Sequence, residues 1–430
     1  MKVSFKHAIM AFAALTMGLT SCSNDDDVTV DQGAETFMKL NIQFPKSLET
    51  RAAHDVNATD DEVKLSTINV FIFDPATSGL LSAVALGSSD FTYDNTSSDK
   101  YTKNASATIP TSTGAKKIYV GMNLPSSFPT ISTIGDLKAA WTTTATDLVH
   151  ATNGIAMFCT AEENPTLVEK TDAGYATANT VNFTMKRMVA KVAVTAGATL
   201  NLATTDNAGT IANVEFSIGQ SNTKMFPYQL VESSVVKDPN WNTYAAGDFE
   251  SFTAAGDYVA MNANGTAITS LAVKYAAENT AQSLLQKEHT YVSIQCDFIP
   301  DYFCDAAGAP TANTAGTAVS FWVVSLTNGS KYYFNNSADA NTYAGTQTGS
   351  AVSAEYVGGK CYYAIFLGEN HGYNVERNDF YQCAITKIIA PGSAAPTVKD
   401  PDQPIAVPTE IEMVLTIEPW DYYSTSHELI

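Results

Sequence analysis

The stretch ETFMKLNIQFPKSLETRAAHD, Glu35 to Asp55, sets two opposed patterns side by side. Met38, Leu40, Ile42 and Phe44 alternate with Lys39, Asn41 and Gln43, so one face is apolar and the other polar. A period of two predicts a half-buried β-strand. A few residues on, Thr50-Arg51-Ala52-Ala53 is small and polar around one arginine, the composition of an exposed, protease-accessible linker. A strand fit for a core thus stands beside a place where it can be cut away.

The same short-strand texture continues along the chain. LSTINVFIFD (Leu65 to Asp74) predicts a central strand covered on both faces, and KKIYVGMNLP (Lys116 to Pro125) and GIAMFCTAE (Gly154 to Glu162) predict two more. VNFTMKRMVAKVAVTAGA (Val181 to Ala198) is long, alternating in part and rich in β-branched residues. IANVEFSIGQ, TYVSIQCDFIP, AVSFWVVSL, KYYFNN, KCYYAIFLG and DFYQCAITKII follow as strands between polar loops. One of few helical candidates is IGDLKAAWTTTATDL (Ile134 to Leu148), with Leu137 and Trp141 at i,i+4. The expectation is all-β: two tandem antiparallel β-sandwich domains, with the boundary near Met185.

Two end segments stand apart. APGSAAPTVKDPDQPIAVP (Ala390 to Pro408) is proline-rich without a buried pattern, which predicts an extended, semi-stiff arm. After it, TEIEMVLTIEPW aligns Ile411, Met413, Leu415 and Ile417 on one apolar face, a strand with no obvious partner in its own sheet. At the other end, Lys2 and Lys6 precede an apolar run from Ala8 to Gly18, the pattern of a secretory leader. It closes on Leu19-Thr20-Ser21-Cys22, which looks like a lipobox with Cys22 as the acylated residue, followed by the acidic run Ser23 to Asp27.

The 430 residues suffice for two or three cores, and at 45% hydrophobic and 16% charged the chain is globular. A net charge of −20 argues against nucleic acid and anionic bilayers as partners. Cys159, Cys296, Cys304, Cys361 and Cys383 remain once Cys22 is set aside. Pairing of Cys361 with Cys383 or of Cys296 with Cys304 is open, as are buried free thiols, and no C-x-x-C spacing suggests zinc. DVNATDDE (Asp55 to Glu62) alternates oxygen side chains but lacks the glycine of a calcium loop, so it reads as a polar loop. No H-E-x-x-H, G-x-S-x-G or phosphate-loop pattern appears, so no catalytic residue, cofactor or metal site is expected.

In order along the chain, the lipobox at Cys22, the strand-plus-arginine module at Thr36 to Ala53, and KRMVAKV (Lys186 to Val192) resemble the type V fimbrillins. So do KCYYAIFL from Lys360, VERNDFY (Val375 to Tyr381), ITKI from Ile385, the proline arm and the closing strand to Pro419-Trp420. The likeness is to the minor-fimbrium shaft subunits of Bacteroidetes. Departures are a shorter arm and Glu376 where valine is expected. The resemblance implies transthyretin-like sandwiches and a division into leader 1–21, propeptide 22–51, domains 52–185 and 186–389, arm 390–408 and terminal segment 409–430. It implies cleavage between Arg51 and Ala52 by an Arg/Lys-specific surface protease, which removes a placeholder strand of Met38, Leu40, Ile42 and Phe44. The donor strand of another subunit, Ile411, Met413, Leu415 and Ile417, then fills the groove. Further partners implied are anchor and tip proteins of the fimbrium, with the precursor lipid-anchored at the outer membrane and the receptor unknown. Arg377 and Tyr381 read as residues that fix a strand turn. The competing classes are a tip or surface adhesin and a glycan-binding surface lipoprotein, for which the exported strand has no use.

Overall fold

The computed structural model describes residues 33–43, 59, 61–94, 104–150, 152–197, 209–250, 257–266, 270–398, 400–406 and 410–419. Strands dominate. The first half contains β1 (Glu35–Gln43), β2 (Thr67–Phe73), β3 (Leu80–Gly87), β4 (Thr92–Asp94) and β5 (Asn104–Ser112). It continues with β6 (Lys117–Met122), β7 (Met157–Cys159) and β8 (Thr180–Arg187). These form one eight-stranded path in the order β3-β2-β6-β7-β8-β1-β5-β4. β8 joins two regions of it, pairing in parallel with β1 over Thr180 to Thr184 and antiparallel with β7 over Met185 to Arg187. Apolar residues from both regions, such as Leu40, Ile109, Val70 and Val120, share one buried cluster. β2 lies between β3 and β6, and its last four residues are all buried, as a strand covered on both faces requires.

The second half begins one residue after β8, at β9 (Val189–Ala196), so the passage between halves falls at Met188. With β10 (Gly209–Gly219), β11 (Val259–Ala260), β12 (Asn262–Ala263), β13 (Val273–Ala277) and β14 (Tyr291–Pro300), it builds most of two sheets. β15 (Lys360–Phe366), β16 (Asp379–Ile388) and β17 (Ile411–Pro419) complete them. One sheet runs β12-β9-β16-β17 with β13 also on β9; the other runs β11-β10-β14-β15. Val192 and Tyr381 of the first pack against Ile294 and Ile365 of the second in a common core, the arrangement of a sandwich. Trp322–Ser325, Lys331–Phe334, Ala351–Val352 and the helix Ser337–Thr346 surround a small cluster with Phe334 and Tyr343, while Val323 and Tyr333 join the sandwich core.

Within Val181 to Ala198 the chain forms two strands, the alternating burial of β8 giving way at Met188 to a β9 buried on both faces. The helical expectation is corrected: Ile134 to Leu148 is not one helix. Thr133 with Asp136 and Thr144 with Asp147 cap two single turns, Ile134–Leu137 and Ala145–Leu148, separated by the extended pair Trp141–Thr142. The arm touches the body near both its ends: Tyr362 and Ser393 exchange backbone hydrogen bonds of 2.9 and 2.7 Å, and the Ile405 N–H donates to Leu284 O at 2.9 Å. All five described cysteines are buried and free. The register neighbour of Cys361 is Cys296, whereas Cys383 lies in the opposite sheet.

Candidate assembly interface

β1 is an interior strand. On one side it pairs antiparallel with β5, from Glu35↔Ser112 to Gln43↔Asn104, and on the other in parallel with β8, from Lys39↔Thr180 to Gln43↔Thr184. Thr36, Met38, Leu40 and Ile42 point inward and are at most 1% exposed. Each buried apolar side chain contributes about 1.5–3 kcal/mol, so the face alone holds the strand firmly. The cause is the alternation in the sequence, which puts every second side chain in the core.

A polar cluster fixes the start of the strand. Asn179, 2% exposed, donates from Nδ2 to Phe37 O at 2.8 Å, to Thr36 Oγ1 at 3.1 Å and to Val168 O at 3.0 Å. Its Oδ1 accepts from the Val168 N–H at 2.9 Å, and the Thr36 hydroxyl donates to Val168 O at 2.7 Å. The Lys39 N–H reaches Asn179 O at 2.7 Å, and Asn41 Nδ2 donates to Asn182 Oδ1 at 2.8 Å. From Gln43 the chain runs through residues 44–58, which carry Arg51, to Glu62 in the body. A cut in that segment leaves β1 held to the body beyond it by non-covalent contacts alone. Cys22, Phe44, Arg51 and Ala52 lie outside the described residues.

The expectation that the C-terminal strand lacks a partner in its own sheet is corrected: β17 pairs antiparallel with β16, from Asp379↔Pro419 to Ile388↔Ile411. Ile411 is buried and Met413, Leu415 and Ile417 are half-buried, packed against the second core cluster. Glu412, Val414 and Thr416 face outward. The apolar face is therefore seated in its own chain. The pairing was invisible because the partner lies across a proline-rich segment. β17 ends its sheet, with no strand beyond it among the described residues.

Sequence reasoning missed the joint between the halves. KRMVAKV supplies Arg187 and Lys191, 0% and 1% exposed. Lys191 Nζ meets Glu62 Oε1 at 2.9 Å, and the same oxygen accepts from the Tyr275 hydroxyl at 2.9 Å. Arg187 Nε donates to Glu62 O at 3.1 Å, and its Nη1 to Asn378 Oδ1 at 3.3 Å. Burial holds the Lys191 ammonium below its ordinary pKa, against the opposing pull of the Glu62 charge. In VERNDFY, Arg377 forms a two-pronged pair with Glu278, at 2.9 and 3.0 Å, and donates to Phe226 O and Pro227 O. The Tyr381 hydroxyl accepts from the Glu376 N–H at 3.2 Å and donates to Asn374 O at 3.3 Å, across the turn. The carboxylates that Lys191 and Arg377 meet stand 99 or more positions away in the sequence. Among the described residues no group of three or more His, Cys, Asp or Glu is placed to hold a metal ion.

Residues 354–426 match the family described as Major fimbrial subunit protein type IV, Fimbrillin, C-terminal. That span covers the approach to β15, β16, the arm and β17. Among curated proteins, none matches the chain. Two solved structures share its fold. A "putative cell adhesion protein" from Parabacteroides distasonis ATCC 8503 is 15% identical, with 90% of this chain and 100% of that chain covered at a TM-score of 0.50. A fimbrilin from Porphyromonas gingivalis W83 is 12% identical, covering 90% of this chain and 98% of that one, also at 0.50. The fold that these two structures share with the chain is all-β. Over residues 354–426, at its C-terminal end, the chain is similar to that fimbrial-subunit family.

Proposed function

We propose that the chain is a structural shaft subunit of a surface fimbria. It is exported as a lipoprotein acylated at Cys22, activated by proteolysis between Arg51 and Ala52, and polymerised by donor-strand exchange. One observation carries this reading: β1 is an interior strand with a buried face, and only the segment containing Arg51 links it to the body that follows. An ordinary core strand has no need of a basic, small-residue linker at its exit. Here the strand fills the sheet while the monomer is in transit, and its loss opens a groove between β5 and β8 whose walls are unpaired edges. The apolar face of residues 411–417 of a second copy fits that groove by strand addition. Such a contact is head-to-tail and propagates without closing.

In this reading residues 1–21 are the leader and 22–51 the propeptide. Domains 52–185 and 186–389 form the mature body, 390–408 the arm and 409–430 the donor segment. Partners are other copies of the chain, anchor and tip subunits, and an Arg/Lys-specific protease. The test is N-terminal sequencing and mass analysis of subunits sheared from the cell surface. The expected N-terminus is Ala52, without lipid. Recovery of Cys22 or of the Thr36–Phe44 strand in assembled fibres rules the scheme out.

A further inference from the structure

We infer that the groove vacated by β1 admits its occupant in one register and one direction, with Thr409 of a second copy in the place of Thr36 and Asn179 as the residue that reads it. This rests on the donor-strand reading above and assigns the specificity within it. The inward face of β1 is not uniformly apolar: it reads Thr36, Met38, Leu40, Ile42, one hydroxyl followed by hydrocarbon. The C-terminal segment has the same spacing, Thr409, Ile411, Met413, Leu415, with Ile417 standing where Phe44 stands.

The polar wall at the head of the groove makes that coincidence matter. With β1 gone, Asn179 Nδ2 loses Phe37 O and Thr36 Oγ1, and Val168 O loses the hydroxyl that donates to it. Buried polar groups left unpaired are costly, so an occupant is selected by what it offers there. In the proposed register Thr409 supplies the hydroxyl and the main chain of Glu410 the carbonyl. A shift of two residues one way puts Ile411 there and removes the hydroxyl that bonds both Asn179 Nδ2 and Val168 O. Two the other way sinks the Thr409 hydroxyl among the hydrocarbon neighbours of Met38. A shift of one residue turns Glu410 and Glu412 inward. Pro408 falls opposite the place of Glu35. Since Lys39 donates its N–H toward β8, the odd positions of β1 aim away from β5, and pairing with β8 starts only at Lys39. A proline there breaks no ladder bond.

The test uses the full chain cut after Arg51, with β1 displaced by an excess of synthetic peptide spanning residues 406–420. Thr108 and Ser106 sit opposite Lys39 and Asn41 on the outward face. In a glutathione redox buffer, a Thr108→Cys body should form a disulfide with the Glu412→Cys peptide, and a Ser106→Cys body with the Val414→Cys peptide. Bonding of Thr108→Cys to Glu410→Cys or Val414→Cys peptide instead overturns the register. The Thr409→Val peptide should bind about tenfold more weakly, and Thr409→Ser should bind like the wild type. In an Asn179→Leu body the gap between the threonine and valine peptides should narrow to what the hydroxyl contact with Val168 O alone supplies. Equal binding of the two to the unmutated body overturns the role of Asn179. Failure of every peptide to bind sinks the donor-strand reading itself, a different outcome from a shifted cross-link.

Discussion

Leu40→Ala should matter only while β1 is in place. Leu40 is fully buried, with Ala107 and Val181 as its register partners on the two sides. Removing a buried leucine costs about 2–5 kcal/mol. A strand walled on both sides leaves little room to collapse, which places this site in the upper part of that range. In the uncut chain the loss should appear as faster hydrogen exchange at β5 and β8, a local probe suited to a molecule with two core clusters. After cleavage at Arg51, the fragment carrying residue 40 should leave much faster from the variant. A loss of about 4 kcal/mol corresponds to roughly 900-fold in affinity. Size-exclusion chromatography after the cut follows the release directly. If the fragment stays with the body through assembly, and at equal rates in both proteins, β1 is permanent core and the reasoning fails.

Lys191→Met should destabilise by about 3–5 kcal/mol, since it strands the buried Glu62 carboxylate. Adding Glu62→Gln should restore much of the loss in urea titrations. Deleting residues 409–430 should loosen the second half, because β16 loses the neighbour that buries Ile411 and half-buries Met413, Leu415 and Ile417. Mixed with the intact chain, the truncated subunit should accept but not donate, and electron microscopy should show shorter fibres. Asp379 is pushed up to about 7 from 3.8, chiefly by burial and then by the Glu376 charge, with Lys186 opposing and Tyr381 and Glu278 also facing it. The folded carboxyl keeps a proton that the unfolded chain has lost, so its contribution falls as pH rises from about 4 to about 7. Asp379→Asn should shrink the stability difference between pH 5 and pH 8 in denaturant melts. It should not abolish it, because buried Asp238 is also pushed up to about 7, first by burial.

What was legible in the sequence was local. β1, β2 and β6 announce themselves by runs and alternation, since burial of one face or both leaves a pattern in a few residues. The errors arise where distant chain decides. Leu137 and Trp141 have helical spacing, yet both are buried in the first cluster from separate short elements. Asn336 capping Asp339 starts the helix Ser337–Thr346, a signal present in the sequence but overshadowed by the aromatic strand before it. The head of the β1 groove depends on Asn179, more than 140 residues from Thr36, and no local pattern marks a buried asparagine. Arg187 and Lys191 were hidden for the same reason, as was the Glu278 partner of Arg377.

The one-residue joint at Met188 has a mechanical side. In a fibre built by strand donation, tension enters each subunit at the groove occupant and leaves through its own terminal segment. The occupant lies against β8, and β8 continues covalently through Met188 into β9, which pairs with β16. Load therefore crosses between the halves along the backbone itself. The Arg187–Asn378 and Lys191–Glu62 contacts brace that crossing on either side. An occupant pulled along its length is sheared, with many ladder bonds sharing the force at once. Under drag, yield should come first at the non-covalent seat of the occupant, and not at the seam between the halves.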